Sequence, residues 1–395
     1  VWQSTGNSSN ALVGSNPTSP RLQTLTDSYV YSLIQYHLLE PPTGNGTWTG
    51  TNQFTLNDLV QSFMRRRDTV LQIAACNIGP FSNNYSIPPG ANRVQLPDTP
   101  NLTILDVRRV RFIPDSNISP TIPPSILYRD DTLAMEFFEN DYQQNFNIPF
   151  AWDVLGSPPQ ELTFDSLVSV ANTLDMLVML SGGTVTPPTA APLLIPDDFF
   201  WVLKWGIMAD VLQKQSESTD RQRAQYCEQR FAEGLRLMVE MPWLTQGFID
   251  RVPVDTMSVA EADQFGYEWQ TDPNMLPLVI RGGVDLFALA PTLTQSTAVT
   301  LSLIGNAPIP PHDTDPIEIP RDVLDAVIGY AQHLATFKMG GQDFVSTIPL
   351  YENMVQMALK TNERLRESGI FATTLRAPNS RQDADTPRFA MEAAK

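Results

Sequence analysis

The sequence predicts an α+β chain, a helical bundle with a β-rich segment inserted into it and a strand–helical-hairpin unit present twice. Three observations predict this. Residues 199–208, Phe-Phe-Trp-Val-Leu-Lys-Trp-Gly-Ile-Met, are apolar almost all round, as in a helix buried on several sides. Runs rich in Val, Ile and Leu, bounded by Pro and Asn, fill the stretch before it and read as strands. Finally, Ile-Pro-x-Asp opens a helical hairpin at Ile195 and again at Ile319, each time after a strand-like run, a Gly and a Pro-rich link.

Residues 1–20 are rich in Ser, Asn and Gly and read as an extended N-terminal arm. Residues 21–78 read as a helical pair. Leu22, Leu25, Tyr29, Val30, Leu33, Ile34 and Leu38 mark the first helix, which ends before Pro41-Pro42. Thr55 and Asp58 form a capping-box pattern at the start of the second, whose buried face carries Leu56, Leu59, Val60, Phe63, Met64, Val70 and Leu71. Residues 79–182 form the β-rich insertion. Its strands are expected near 92–97, 102–113, 125–128, 150–155, 160–164 and 174–180, with a short helix near 131–138.

Residues 183–245 form the central helical hairpin. Pro196 suits the first helical turn and Asp197-Asp198 suits the positive end of the helix dipole. Ala224, Cys227, Phe231, Leu235 and Met238 line one stripe of its second helix. Residues 246–310 form a second β-rich segment, with strands expected near 276–280, 284–289 and 298–304. Residues 311–369 form a C-terminal helical hairpin broken at Gly340-Gly341, and residues 370–395 form a polar tail.

The composition narrows function. The 395 residues carry a formal net charge of −17, which disfavours phosphate-gripping contacts with nucleic acid and suits a passage from which DNA is repelled. The 33 prolines, about 8% of the chain against ~5% on average, mark many irregular segments. Cys76 and Cys227 are too few for a disulfide framework and read as buried thiols. No apolar run reaches the ~18–20 residues that span a bilayer, so no membrane partner is expected. No signal peptide pattern opens the sequence, and Val1 in place of Met leaves room for trimmed residues.

The search for chemistry yields no catalytic, cofactor or metal site. His37, His312 and His333 lie far apart. His37 and His333 fall on helical patterns and read as packed or surface residues, and His312-Asp313-Thr314-Asp315 reads as a turn. No nucleophile elbow, phosphate loop or His-Glu-x-x-His occurs. The Asp130-Asp131 and Asp197-Asp198 pairs read as caps. Arg65, Arg66 and Arg67 read either as a solvated face with one snorkelling side chain or as ionic contacts to a neighbouring subunit. Trp201 and Trp205, four residues apart on one helix, read as core or interface anchors.

The order of these pieces carries a resemblance. A helix, a second helix opening at Phe54-Thr55-Leu56-Asn57-Asp58-Leu59, the strand Leu105-Asp106-Val107-Arg108-Arg109, then Leu194-Ile195-Pro196-Asp197-Asp198 and two helices carrying Tyr226 and Phe231 resemble the head–tail connector (adaptor, or neck) proteins of tailed bacteriophages. The likeness spans about residues 20–241. It implies a non-enzymatic ring, commonly twelve-fold, built from copies of the chain. Such a ring sits on the portal protein and joins the tail or tail-terminator protein, with DNA passing through its lumen. That places the expected location at the virion neck, after assembly in the host cytoplasm. Two other classes fit the same sequence: a tail, baseplate or capsid-decoration subunit, and a secreted module that binds a ligand or glycan on its Pro-rich strands.

Overall fold

The computed structural model describes residues 2–4, 24–38, 54–78, 85–96, 98–99, 102–115, 125–132, 135, 144–186, 190–214, 220–240, 244–249, 252–265, 277–284, 286–290, 299–303, 314, 319 and 321–367. Among them the helices are α1 (Asp27–His37), α2 (Leu56–Ala74), α3 (Phe200–Gln213), α4 (Arg221–Glu240), α5 (Val259–Phe265), α6 (Arg321–Phe337) and α7 (Gly341–Glu367). The strands are β1 (Trp2–Ser4), β2 (Arg93–Gln95), β3 (Asp98–Thr99), β4 (Leu102–Pro114), β5 (Ser125–Arg129), β6 (Phe146–Asn147), β7 (Ala151–Leu155), β8 (Glu161–Phe164), β9 (Leu167–Val168) and β10 (Asn172–Leu180). They continue with β11 (Leu244–Ile249), β12 (Val252–Ser258), β13 (Leu278–Gly283), β14 (Leu286–Ala290) and β15 (Val299–Leu303).

This corrects the expected architecture. The chain is not a helical bundle with one inserted β segment, because it builds two large curled sheets. One runs β10-β4-β5-β7-β8-β2, with β3 paired to β4. The other runs β1-β15-β11-β12-β13-β14. The duplication does not carry into them. β10 stands at one end of the first sheet, whereas β15 lies inside the second, between β1 and β11. The two hairpins differ as well. α3 buries ten of its fourteen residues, while α6 buries one stripe of Ala326, Gly329, His333 and Phe337. The expected short helix at 131–138 and the tail at 370–395 lie largely or wholly outside the described residues.

Local chemistry explains the helix starts. Thr55 Oγ1 accepts from the Asp58 N–H at 3.2 Å, and the Asp58 carboxylate accepts from the Thr55 N–H at 3.2 Å, which closes the capping box of α2. Ser258 and Glu261 repeat the motif at α5. Asp197 lies in a short 3-10 turn before α3, and its carboxylate accepts from the backbone N–H groups of Thr24 and Leu25 at 3.0 Å. It therefore ties the entry of α1 to the entry of α3, beyond its favourable place at the dipole.

A single apolar cluster joins α1, α2, α3, α4 and the α6–α7 hairpin, with Val185, Leu193 and Ile195 of the link before α3 inside it. Close approach of α3 and α4 depends on missing side chains. A β-carbon at Gly206 would stand 2.7 Å from the Phe231 ring, and one at Gly234 would stand 2.6 Å from Val202. Each sheet has its own core, around Phe112, Trp152 and Phe164 in the first and around Val279, Leu289 and Leu301 in the second.

The two sheets meet at the end of α2. Ile78 bridges to Met179 of β10, while the Val284 N–H after β13 donates to the Ala74 carbonyl at 3.3 Å. Arg109 of β4 grips Asp263 of α5 with two hydrogen bonds of 2.7 Å, a bidentate clamp between the sheets.

Arg67 fixes the link between β10 and α3. Its guanidinium is fully buried, donates to the Gly183 and Pro192 carbonyls and lies over the Phe63 ring. A β-carbon at Gly182 would fall inside that guanidinium. Gly182→Ala is therefore expected to lower unfolding free energy by about 1–3 kcal/mol through overpacking. Chemical denaturation of the purified variant measures this, and an unchanged midpoint would contradict the packing described.

Candidate functional site: the helical junction and the outward aromatic surface

Three consecutive arginines on α2 point three ways. Arg65 is on the surface, with its side chain 66% exposed, and reaches Asp210 of α3. Arg66 turns inward. Its Nε and Nη2 hold Asp210 at 3.0 and 2.5 Å, and its Nη1 and Nη2 hold Glu228 of α4 at 2.9 and 2.6 Å. The guanidinium carbon lies 4.7 Å from the centroid of the Phe231 ring, and Ser62 donates a further hydrogen bond to Asp210. Burial works against the Asp210 charge. The hydrogen bonds from Arg66, Arg65 and Ser62 outweigh it and hold the carboxyl below the usual carboxylate range.

The structure places the five expected residues differently within the protomer. Arg67 and Trp205 are enclosed in the protomer core, and Arg66 is spent on two internal carboxylates. Trp201 is half-buried against Gly234, with the Arg230 guanidinium 5.4 Å from its ring centroid. Only Arg65 of the five stands well exposed. The physical reason is helical geometry: successive residues turn by about 100°, so three in a row cannot share a face.

A second polar cluster joins the hairpins. Arg230 of α4 donates to the hydroxyls of Tyr351 at 2.8 Å and Tyr330 at 3.1 Å and pairs with Glu233 at 2.7 Å. Tyr351 also donates to Glu233. His333 is fully buried, stacks on Phe344 and Tyr351 and meets the Thr347 hydroxyl at 3.0 Å. Burial, followed by the nearby Arg230 charge, lowers its pKa to about 4.

Beside this cluster, His37 at the end of α1 lies 3.5 Å from the Lys204 ammonium and packs on Trp205 and Phe337. Burial, then Lys204 and Lys338, lower its pKa to about 4. Lys204, which sits 4.1 Å from the Trp205 ring centroid, is pushed down to about 8 by burial. Burial drives the Cys227 thiol up, so it stays protonated and unreactive. Both histidines therefore sit neutral in the core, the packed one of the two roles, packed or surface, that their helical patterns allow. The 312–315 turn is outside the described residues except for Thr314.

The chemistry this arrangement supports is helix joining. Arg66 and Arg230 each bridge elements distant in sequence, and their carboxylate and phenol partners lie within the protomer. Among the described residues no group of three or more His, Cys, Asp and Glu side chains comes together to hold a metal ion. No helix there is long and apolar enough to cross a membrane.

The outward surface carries what the sequence reading missed. Tyr128 of β5 is 77% exposed, Phe150 before β7 63% and Phe146 of β6 68%. The Tyr128 N–H donates to the Phe150 carbonyl at 2.9 Å, which fixes two of the three on adjacent strands. Exposed aromatic rings are enriched at association surfaces. The available signal was an aromatic on β5 and another just before β7, but strand pairing had to be known to bring their backbones together. Compared with known protein families and with curated proteins, the chain matches none.

Two measurements test this site. Arg66→Ala leaves Glu228 without this cation and Asp210 with only Arg65 and Ser62, and is expected to cost about 1–3 kcal/mol of unfolding free energy. Arg65→Ala is expected to stay within ~0.5 kcal/mol. Equal losses in denaturant titrations would contradict the division of roles.

The histidines set a pH window. When unfolded they take up protons near pH 6.5, and when folded they stay neutral to about 4. Stability is thus complete above pH 6.5 and is lost as the pH falls toward 4, with uptake of about two protons on unfolding. Calorimetry across this range should show a falling Tm, and a flat Tm would contradict neutral, buried histidines.

Proposed function

We propose that the chain is a structural subunit of a tailed-bacteriophage virion, a head–tail connector whose copies close into a ring between the portal protein and the tail. The observation that carries this reading is the division of the side chains. The interior ionisable groups join helices to one another, whereas the Tyr128, Phe146 and Phe150 rings stand exposed among the described residues. A surface of that kind gains free energy when a second protein covers it. The net charge of −17 supports the DNA passage, because an acidic wall repels the phosphate backbone it surrounds. The twelve-fold count belongs to the resemblance in helix order, and the ring itself requires only a heterologous contact that closes.

The reading is tested by weighing the purified chain with native mass spectrometry across concentrations and by locating it in virions by imaging. A closed oligomer at the neck is expected. Tyr128→Ser with Phe150→Ser is expected to leave the circular dichroism unchanged and to weaken the oligomer at least tenfold. A strict monomer that joins neither portal nor tail would overturn the proposal. Location elsewhere in the particle would replace it with a tail, baseplate or capsid-decoration role.

A further inference from the structure

Strand β1 is the outermost strand of its sheet and pairs antiparallel with β15, with Trp2 opposite Leu301, Gln3 opposite Thr300 and Ser4 opposite Val299. β15 is also paired on its other side, to β11, so β1 completes its second row of backbone hydrogen-bonding groups. The edge that β1 covers is Val299-Thr300-Leu301-Ser302-Leu303, which has no charge and no proline. It lacks the usual devices that keep an edge strand from pairing with another chain. Such an edge needs an occupant.

We propose that in the assembled protein this occupant is exchanged between copies: residues 2–4 of one copy pair with β15 of the next, in the register seen here. The proposal rests on the assembly reading above and names the contact that ties neighbours together. The chain length permits it. Nineteen residues separate Ser4 from Thr24, the next described residue, which the Asp197 carboxylate anchors. A connection of that length reaches about 65 Å when extended. A chain of this size has a radius of gyration of about 21 Å, so the reach exceeds its diameter and extends to an adjacent copy.

The energetics permit it as well. Exchange keeps every strand pair and alters only the tether, which makes it a low-cost route to association. Once neighbours are held together, a tethered strand is offered at an effective concentration in the millimolar range. Each copy donates one strand and accepts one, and where donor and acceptor neighbours differ the contact is heterologous and propagates around a closed ring.

The test uses the full chain and two single-cysteine variants. Gln3→Cys and Thr300→Cys face each other in the register, at the roughly 4.5–5.5 Å spacing that a disulfide spans. Cys76 and Cys227 are buried and contribute little background. The two variants, carrying different tags, are mixed, assembled and oxidised, and the covalent product is read by mass. The expected result is a disulfide between differently tagged chains in the oligomeric fraction, together with covalent multimers from the double variant. An oligomer in which the mixed variants never cross-link, while the double variant closes only within single chains, overturns strand exchange and leaves the assembly reading standing. A protein that remains monomeric at every concentration overturns both.

Discussion

Arg66 is the point on which the helical half of the structure turns. α3 is buried on nearly all sides and carries two charged residues, Lys204 and Asp210. A buried carboxylate is tolerated only when paired and hydrogen-bonded. Arg66 supplies that pairing from α2, and by also holding Glu228 it draws α4 to the same place. The missing side chain at Gly206 lets Phe231 lie under the guanidinium, so the apolar contact and the ionic contact require the same close crossing. Among the described residues Lys204 has no carboxylate in return. It rests between His37 and Trp205, and burial lowers its proton affinity.

The same economy governs the remaining polar groups. Arg67 is consumed by carbonyls of the link that precedes α3, Arg109 by Asp263 across the two sheets, and Arg230 by tyrosines across the two hairpins. Each guanidinium binds segments far apart in the chain, a use to which its planar, five-donor head is suited. Charges used in this way stabilise a protomer. That is the physical basis for reading the protein as a building unit.

Much of the local structure was legible in the sequence. The Thr55–Asp58 box, the central strands and both helical hairpins follow from capping, periodicity and turn residues. What was not legible is how the strands pair. The pairing of β1 with β15 joins residues some three hundred positions apart, and no local pattern encodes it. β11 and β12 escaped notice because Gly247 and Pro253 interrupt their apolar runs, although Gly247 is what lets Val279 pack close. The arginine trio was half legible. Helical geometry alone forbids a shared face, but the partners Asp210, Glu228 and Gly183 come from elements only the fold brings near. The juxtaposition of Tyr128 and Phe150 was hidden for the same reason, since one lies on β5 and the other just before β7.

The central proposal is that α3 is the buried centre of the protomer and that strands β5, β7 and β15 meet neighbouring copies. Hydrogen–deuterium exchange followed by mass spectrometry, on the protein before and after assembly, addresses it directly. The account predicts that amides of α3 exchange slowest in both states and change little, while residues 125–129, 146–151 and 299–303 gain protection on assembly. Protection gained chiefly in α2, α3 and α4, with those strands unchanged, would contradict it.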